Sequence, residues 1–549
     1  MKSTTFYSFI LFFIIFSFSC HKKVLENERK VFKYNESKGI ATLDPAFAKN
    51  QTIIWASNLL FNGLVRMDDN LNIVACIAKK WEIKEQGTTY RFILRDDVYF
   101  HKHKLFKTKE NRKVIASDFV YSLNRIIDPE VASPGSWIFN NIDFQAPNSN
   151  NGFCAINDST LEIYLKNPFP AFLGLLSMQY CSVVPEEIVS YYADDFGNNP
   201  IGTGAFQFKM WKQGEKLVML RNEEYFERDK NGEKIPYLDA VAITFINDKQ
   251  SEFLEFIKGN LDFLSGIDAS YKDELINRNG KLNSKYSDKI VMITQAYLNT
   301  EYLGFMLDTN EKSFNNVLGI KEIRQAINCG FDRNKMTKYL RNNIGIPANS
   351  GFVPAGMPNF SISNIEGNSY DPIKAKKLLI SAGFPNGENL PVIKLTTTST
   401  YVDLCEYIQH QLSEIGIQIE IEIGTGASFL DMVANSKLEF FRGSWIADYP
   451  DPENYLALFY SKNLSPNGPN YTHFSDPEFD LLYEKAMNEL NDSIRYRLYE
   501  TMDQMIVDEA IIVPLFYDES VRFVSKNIKG MKSNPLNLLN LSNVKKVNN

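Results

Sequence analysis

Two pairs of side chains have residue types and spacings that can do chemistry. Asp448 and Asp451 are three positions apart, as the two carboxylates of an acid–base pair can be, but the prolines beside them favour a loop instead. His101 and His103 would share one face of a strand, where they could bind a metal ion, yet no third His or Cys lies near them in the sequence. We therefore expect a loop at the first pair and solvent-facing histidines at the second.

Glycine spacing and catalytic motifs give no sign of an enzyme. Gly202 and Gly204 are spaced as in a phosphate-binding loop, but neither GxxxxGK(S/T) nor GxGxxG occurs there, so a plain turn is predicted. The sequence has no GxSxG motif for a nucleophile and no HExxH motif for a catalytic zinc ion. We therefore expect a protein that is not an enzyme and that has no cofactor and no metal site.

The composition is that of a globular protein with several domains. Of the 549 residues, 44% are hydrophobic and 23% are charged, which excludes a disordered chain. At roughly 150 residues per domain, this length predicts about three or four domain-sized units. The 59 basic and 66 acidic residues give a net charge of −7, with no basic run, so the sequence predicts no nucleic-acid partner.

The first residues have the pattern of an export signal. Lys2 is followed by an apolar stretch over 6–18, too short to span a bilayer comfortably, and then by Ser19 and Cys20. The run 16–20, FSFSC, resembles a bacterial lipobox. It predicts that residues 1–19 are a lipoprotein signal peptide and that Cys20 carries a lipid, which would anchor the protein in the cell envelope on the periplasmic side of a membrane. The alternative is an uncleaved anchor or a buried core segment.

Cysteine usage beyond Cys20 fits export without reliance on disulfides. The remaining cysteines stand at positions 76, 154, 181, 329 and 405. They form no CxxC pair, and an odd number cannot pair completely. We expect most of them to be buried as small apolar side chains, with one disulfide possible.

Hydrophobic spacing and turn residues predict a mixture of strands and helices. Residues 81–100 alternate apolar and polar side chains on either side of Gln86-Gly87, which predicts a β-hairpin. Isoleucines between positions 320 and 327 follow a helical spacing, and Asp332 can cap the next helix.

The segment 371–423 has the clearest local signals. Asp371-Pro372 is a cap followed by proline at the first helical position, and Gly383 ends that helix. A second helix runs from about Tyr401 to Gly416, and alternating isoleucines over 417–423 then predict a strand with one buried face. Such alternation predicts an α/β lobe built on a mixed sheet, with ligands at the strand ends. The same rules predict a helix opening at Ser475-Asp476-Pro477 and strands over 511–516 and 521–524.

Several short segments, taken in their order along the chain, resemble one family of proteins. They are 42–46 (TLDPA), 58–65 (NLLFNGLV), 78–83 (AKKWEI), 90–98 (YRFILRDDV), 116–125 (ASDFVYSLNR), 200–206 (PIGTGAF), 225–226 (YF) and 445–452 (WIADYPDP). Each is a weak signal alone, but together they extend over nearly the whole mature chain. The sequence thus resembles the peptide-binding family of extracytoplasmic solute-binding proteins of ABC transporters, the oligopeptide- and dipeptide-binding type of bacterial family 5.

This resemblance implies an α/β, two-lobe periplasmic-binding-protein fold with mixed sheets, a hinge between the lobes and an extra domain inserted in the first lobe. Carried onto this chain, lobe I comprises 24–64, 200–296 and 512–549, the inserted domain 65–199, and lobe II 297–511. The crossings between lobes become hinges. The implied function is that of a lipid-anchored, monomeric binding protein, which captures short peptides between the lobes and delivers them to the permease subunits of an ABC importer.

The resemblance also implies which residues touch the ligand. Asp448 would pair with the ligand's α-ammonium, and Trp445 would form an aromatic wall. The backbone from Ser444 to Ile446 would pair with an extended peptide, and Arg442 matches a basic position used for the ligand carboxylate. Each has a structural alternative: Trp445 as core, Asp448 as a helix cap or ion-pair partner, and Arg442 as a solvated charge.

Departures from the family pattern leave the ligand class open. Lys49 stands where oligopeptide-binding relatives are acidic, Met306 stands where many have Asn, and an insertion occupies Lys102 to Lys113. A binder of a nickel complex, an opine or an oligosaccharide with the same fold is therefore an alternative, as is an enzyme or adhesin on this scaffold.

Overall fold

The computed structural model describes residues 29–106, 112–268, 270–308 and 316–547. The predicted signal peptide and Cys20 lie outside these residues, as does part of the insertion between Lys102 and Lys113. Within the described ranges, no helix has the length and apolar character needed to cross a bilayer.

The described residues form a mixed α/β structure. Its strands are β1 Val31–Asn35, β2 Val65–Met67, β3 Ile73–Ala75, β4 Ala78–Lys84, β5 Thr89–Leu94, β6 Phe153–Asn157, β7 Thr160–Tyr164, β8 Phe206–Lys212, β9 Lys216–Arg221, β10 Ala240–Thr244, β11 Phe263–Ser265, β12 Ile290–Phe305, β13 Ile346–Pro347, β14 Ile393–Thr398, β15 Ile419–Gly424, β16 Phe440–Ile446, β17 Ile512–Ser525, β18 Ile528–Lys529 and β19 Lys545–Lys546. Its helices are α1 Gln51–Leu60, α2 Ala116–Ile127, α3 Phe172–Leu176, α4 Glu186–Tyr192, α5 Lys249–Ile257, α6 Lys272–Leu275, α7 Lys321–Cys329, α8 Arg333–Leu340, α9 Pro372–Ser381, α10 Val402–Ser413, α11 Gly426–Ala434, α12 Glu453–Leu456, α13 Pro477–Asn488 and α14 Asp492–Asp508.

The main sheet has two halves that share two long strands. Its order is β15-β14-β16-β12-β17-β11-β1-β10-β9-β8. We call the strands on the β15 side of β12 and β17 the second half of the sheet, and those on the β8 side the first half. The sheet is mixed, because β14 with β15 and β1 with β10 are parallel whereas β12 and β17 are antiparallel.

The long strands β12 and β17 are irregular where they pass from one half to the other. Their ladder is regular from Ile290 to Ala296 and resumes at Thr300, opposite Tyr517. On β12, this break lies at the predicted crossing between the lobes near residue 296. On β17, the same break lies a few residues after the predicted boundary at 512. A bulge bends a strand and increases its local twist, so this break is the natural place for a change of direction between the halves.

A second, smaller sheet lies within the segment predicted to be an inserted domain. Its order is β4-β5-β7-β6, and helix α2 contacts both β6 and β7. Strands β4 and β5 pair antiparallel, which confirms the hairpin predicted from residues 81–100. Phe92 of this sheet and Phe32 of the first half belong to one continuous apolar cluster, so the small sheet shares its core with the first half.

Most local predictions of helix ends are confirmed. Asp332 accepts a hydrogen bond from the Lys335 amide at 3.0 Å, and Asp371 accepts one from the Lys374 amide at 2.8 Å. Strands expected over 511–516 and 521–524 are instead one strand, β17. The charged residues in the gap have partners outside the strand, which lets the strand continue through them: Asp518 pairs with Arg341 at 2.6 Å, and Glu519 accepts from the Gly345 amide at 2.7 Å.

The expectation of solvent-facing histidines is wrong for His101. Its ring is 3% exposed and lies in a loop, where it hydrogen-bonds to the Gly202 amide at 3.3 Å and the Gly204 carbonyl at 3.0 Å. Burial lowers the pKa of His101 to about 4, so the ring is neutral and structural. The glycines allow close packing, since a Cβ on Gly202 would lie 2.1 Å from the Leu60 carbonyl oxygen.

The cysteines after Cys20 are free. Cys76, Cys181, Cys329 and Cys405 are buried and Cys154 is partly exposed. The expectation that most are buried apolar side chains is confirmed.

Candidate ligand-binding site

The segment with the predicted ligand residues leaves the second half of the sheet beside its junction with the first. Strand β16 pairs antiparallel with β12, so that Trp445 lies opposite Thr300, and the Ala447 amide continues the pairing by donating to the Leu298 carbonyl at 2.8 Å. The chain then turns through a loop over 447–452 before α12 begins at Glu453. This confirms the loop predicted for Asp448 and Asp451, and it places Asp448 just beyond the end of a strand.

A cavity of about 220 Å³ lies in front of this loop. A single buried water needs roughly 10–15 Å³ by a comparable measure, so the cavity has room for a small ligand. Its walls are formed by residues 48–51, 54–55, 67, 177–180, 297, 446–448, 536 and 538. The cavity is therefore bounded by the predicted lobe I and inserted domain on one side, and by Tyr297 and Ile446 to Asp448 of predicted lobe II on the other.

Contacts beside the cavity join its two sides. Tyr449 follows Asp448 and packs into the apolar cluster of the first half, where its ring lies 6.4 Å from that of Trp137, centroid to centroid. A Cβ on Gly174, in helix α3, would lie 3.4 Å from the Tyr449 Cβ, so this helix passes close to the loop. The loop that bears Asp448 is thus held against the predicted inserted domain.

Asp448 is a carboxylate without a charged partner in the described part of the chain. Its side chain is exposed to the space of the cavity, but protein surrounds that space on several sides. Burial by these walls raises the pKa of Asp448 to about 6, and a hydrogen bond with the Asn454 side chain partly offsets the rise. Tyr180 also lines the cavity, and its phenol pKa is raised by burial and by the charge of Asp448. The site therefore offers a partly desolvated anion that a cation can neutralise.

Asn454 holds two of the predicted ligand residues in place. Its Oδ1 accepts a hydrogen bond from the Trp445 indole at 3.0 Å and another from the Asp448 amide at 3.2 Å. The Asn454 side chain is buried, and Tyr455 beside it donates its hydroxyl to the Trp445 carbonyl at 3.4 Å. Sequence reasoning missed Asn454; its signal was a polar residue next to an apolar stretch, which does not reveal what it contacts.

The remaining predicted ligand residues are not all brought to the cavity. Ile446 lines it and is 47% exposed, whereas Trp445 is half-buried against the core of the second half. Ser444 and Arg442 lie on the same strand but are not part of the cavity wall. The roles of these residues in ligand binding stay predictions.

Arg442 is occupied by partners within the protein. Its guanidinium donates to the carboxylate of Glu301, which is buried, and its central carbon lies 3.4 Å from the centre of the Tyr401 ring. The pKa of Glu301 is raised by burial, while the Arg442 charge opposes that rise. The alternative interpretation of Arg442, a solvated surface charge, is therefore wrong, because its charge is paired with that of Glu301.

Two buried carboxylates behind the loop shape it. Glu453 accepts hydrogen bonds from the hydroxyl groups of Tyr449 and Tyr483, and burial raises its pKa to about 7. Asp451 accepts from the Glu453 amide at 3.0 Å. Both are buried, so they fix the path of the loop and do not face the cavity.

Met306 does not contribute to the cavity either. Its side chain is 6% exposed, and its amide donates to the Glu439 carbonyl at 2.9 Å. Lys49, the other departure from the family pattern, does line the cavity. Among the described residues, no group of three or more His, Cys, Asp and Glu side chains is arranged to hold a metal ion.

Comparisons with known proteins agree on one family. The model described as bacterial extracellular solute-binding proteins, family 5 Middle, matches residues 72–467. The dipeptide-binding protein DppE of Bacillus subtilis is 25% identical over 95% of this chain and 93% of its own length. The periplasmic oligopeptide-binding protein OppA of Salmonella typhimurium is 26% identical over 92% of this chain and 90% of its own. The structure of the ABC transporter-associated periplasmic binding protein DppA of Helicobacter pylori, in complex with the peptide STSA, is 25% identical and has a TM-score of 0.75, covering 95% of this chain and 99% of that one.

Proposed function

The chain belongs to the bacterial extracellular solute-binding proteins of family 5, and from this premise we propose that it captures short peptides in the cavity beside Asp448 and delivers them to the permease of an ABC importer. Its fold is the two-lobe fold of periplasmic binding proteins with mixed sheets, as the sequence predicted. The relatives named above are binding proteins, two of them for peptides by name and one solved with a peptide bound.

One observation carries the proposal. Asp448 faces a cavity between segments of both predicted lobes and has no ion pair with another described residue. A cleft that encloses the α-ammonium of a peptide must supply an anion, because burying an unpaired charge is very unfavourable. Asp448 meets that requirement at the end of a strand, where ligands of α/β proteins gather.

The edge of strand β16 supports the binding of an extended peptide. Strands β14 and β16 share a single register pair, Thr396 with Phe441, so among the described strands the β14-side edge of residues 442–446 has no partner. A peptide can add to such an edge through main-chain hydrogen bonds, which recognise any backbone and little of its sequence. Ser444 to Ile446 would make these bonds in our proposal, and Asp448 would then bind the amino end.

The location of the protein completes the proposal. Export and lipidation at Cys20 would leave a monomeric protein tethered in the cell envelope, on the periplasmic side of a membrane and near the permease. The support for this part is the sequence of the first residues alone.

Native mass spectrometry of the protein as purified tests the ligand class directly. We expect one bound peptide per chain, released on denaturation, and calorimetric binding of members of a di- to pentapeptide library. A protein that carries a non-peptide solute, or that binds no peptide in the library, would contradict the proposal and favour the alternative of an opine, a nickel complex or an oligosaccharide.

A further inference from the structure

The wall of the same cavity has a second charged residue, Lys49. Its side chain is exposed, and its ammonium group has no hydrogen bond or ion pair with any residue in the described ranges. We infer that Lys49 binds an anionic group of the ligand, so that the cavity selects molecules in which a carboxylate lies close to a primary amine. This inference rests on the proposed function, since it assigns a second ligand contact to the same cavity.

The backbone of Lys49 is held while its side chain is free. Its amide donates to the Phe47 carbonyl at 2.7 Å, and the next residue, Asn50, caps helix α1 by accepting from the Ile53 amide at 3.2 Å. Helix α1 begins at Gln51, which also lines the cavity, and the start of a helix carries a partial positive charge. A flexible ammonium on a fixed backbone can reach a ligand anion without moving the wall that bears it.

The charges of the cavity balance as they would for a zwitterion. Lys49 and Asp448 are the charged residues among those that form its wall. Their charged groups make no ion pair with each other, so both are available to a ligand. A ligand with one ammonium and one carboxylate would leave no buried charge unpaired when water is excluded, whereas an uncharged end would leave Lys49 unmatched.

The basic residue that the family pattern suggests for a carboxylate is already matched in this chain. Arg442 pairs with the buried Glu301, and separating two buried partners of this kind is strongly unfavourable. A ligand carboxylate at Arg442 would also lie beside the Glu301 carboxylate, which would repel it. Lys49, which lines the cavity and has no ion pair with a described residue, is therefore better placed than Arg442 to bind an anion.

The anionic group has two possible sources with the same chemistry, which matched ligands distinguish. One is the terminal carboxylate of a dipeptide, tested by dialanine against dialanine amide. The other is an acidic side chain in a longer peptide, tested by Ala-Glu-Ala amide against Ala-Gln-Ala amide.

Calorimetry would measure the binding of all four ligands to the wild-type protein and to two variants of Lys49. Lys49→Met keeps most of the side chain's length and removes its charge, whereas Lys49→Arg keeps the charge. Lys376→Met, at an exposed position on helix α9 away from the cavity, is the matched control.

We expect the wild type to bind the acidic peptide of at least one pair more tightly than the neutral one. In Lys49→Met, the affinity for that acidic peptide should fall about tenfold or more, while the affinity for its neutral counterpart stays nearly unchanged. Lys49→Arg should restore most of the preference, and the control variant should behave as the wild type. An equal loss of affinity for the acidic and the neutral peptides in Lys49→Met, or no change in affinity for either, would overturn the inference while leaving peptide capture intact. Absence of binding by every peptide to the wild type would overturn both the inference and the proposed function.

Discussion

Substitution of Asp448 by asparagine is the most direct test of the amine-binding role. Asparagine has nearly the same shape but no charge, so the change removes an ion pair with a ligand ammonium and little else. The Asp448 amide would still donate to Asn454, because that 3.2 Å hydrogen bond involves the backbone. Since the carboxylate has no ion pair with a described residue, we expect the free energy of unfolding without ligand to change little.

The effect on binding should be large. Removing one partner of a charge pair that ligand binding buries costs about 2–5 kcal/mol, which corresponds to roughly 30-fold to several thousand-fold in Kd. The upper part of this range applies if closure excludes water from the cavity, and the lower part if the pair stays hydrated. Asp96→Asn, at an exposed turn after strand β5, is a matched control that should bind peptides as the wild type does.

A cycle of measurements separates the ammonium contact from other effects. Calorimetry would compare wild type and Asp448→Asn, each with free-amine and N-acetylated forms of the same peptide. Both the substitution and the acetyl group should weaken binding, and their combined effect should be much smaller than the sum, because each removes the same interaction. The reasoning would be refuted by an Asp448→Asn protein that binds peptides as tightly as the wild type, or by fully additive losses.

The pH dependence of binding gives an independent readout of Asp448. Its pKa is raised to about 6 without ligand, so the group is mostly ionised at pH 7 and increasingly protonated below 6. A protonated carboxyl cannot form an ion pair with an ammonium group, and ligand binding must therefore lower the pKa of this group. We expect the affinity to fall as the pH drops from 7 to 5, and Asp448→Asn to show a much flatter profile over that interval.

Other expected outcomes concern motion, the loop and the anchor. If the bulge between Ala296 and Thr300 lies at the hinge, solution scattering should show the radius of gyration falling when peptide is added, and an unchanged radius at saturation would count against closure. Asn454→Ala should lower the free energy of unfolding by about 1–3 kcal/mol, because the Trp445 indole and the Asp448 amide lose their acceptor. Urea denaturation would measure that loss, and an unchanged midpoint in Asn454→Ala would contradict it. Mass spectrometry of membrane-extracted protein should find a chain that begins at Cys20 with added acyl mass, and a Cys20→Ala protein that still carries lipid would argue against this site.

Features set by neighbouring residues could be predicted from the sequence. The cap at Asp371, the proline after it and the hairpin around Gln86-Gly87 depend on a few consecutive side chains, and all appear where expected. The loop between Asp448 and Pro452 was predictable for the same reason, since proline restricts its own backbone and that of the residue before it. The family resemblance then supplied the two-lobe arrangement, which no local pattern contains.

Features that depend on distant residues could not be predicted in this way. The pairing of Arg442 with Glu301 joins positions 141 residues apart, and nothing near either residue indicates it. His101 has the sequence surroundings of a surface histidine, but it is buried because Gly202 and Gly204 let the backbone approach the end of helix α1. Lys49 and Asp448, from distant segments of the chain, likewise line one cavity, which no local pattern of the sequence indicates.

The position of Asp448 has a consequence for the closing motion. Moving the two halves together over an empty cavity would remove water from a carboxylate that has no ion-pair partner among the described residues, and burial already raises its pKa to about 6. An ammonium group from the ligand removes that penalty, so a bound peptide favours the closed form by more than its contacts with the walls alone. If the two lobes close over the ligand as proposed, the unpaired charge biases the empty protein toward the open form. On this argument Asp448→Asn should close more readily without ligand, and scattering of the two ligand-free proteins would show a smaller radius of gyration for the variant.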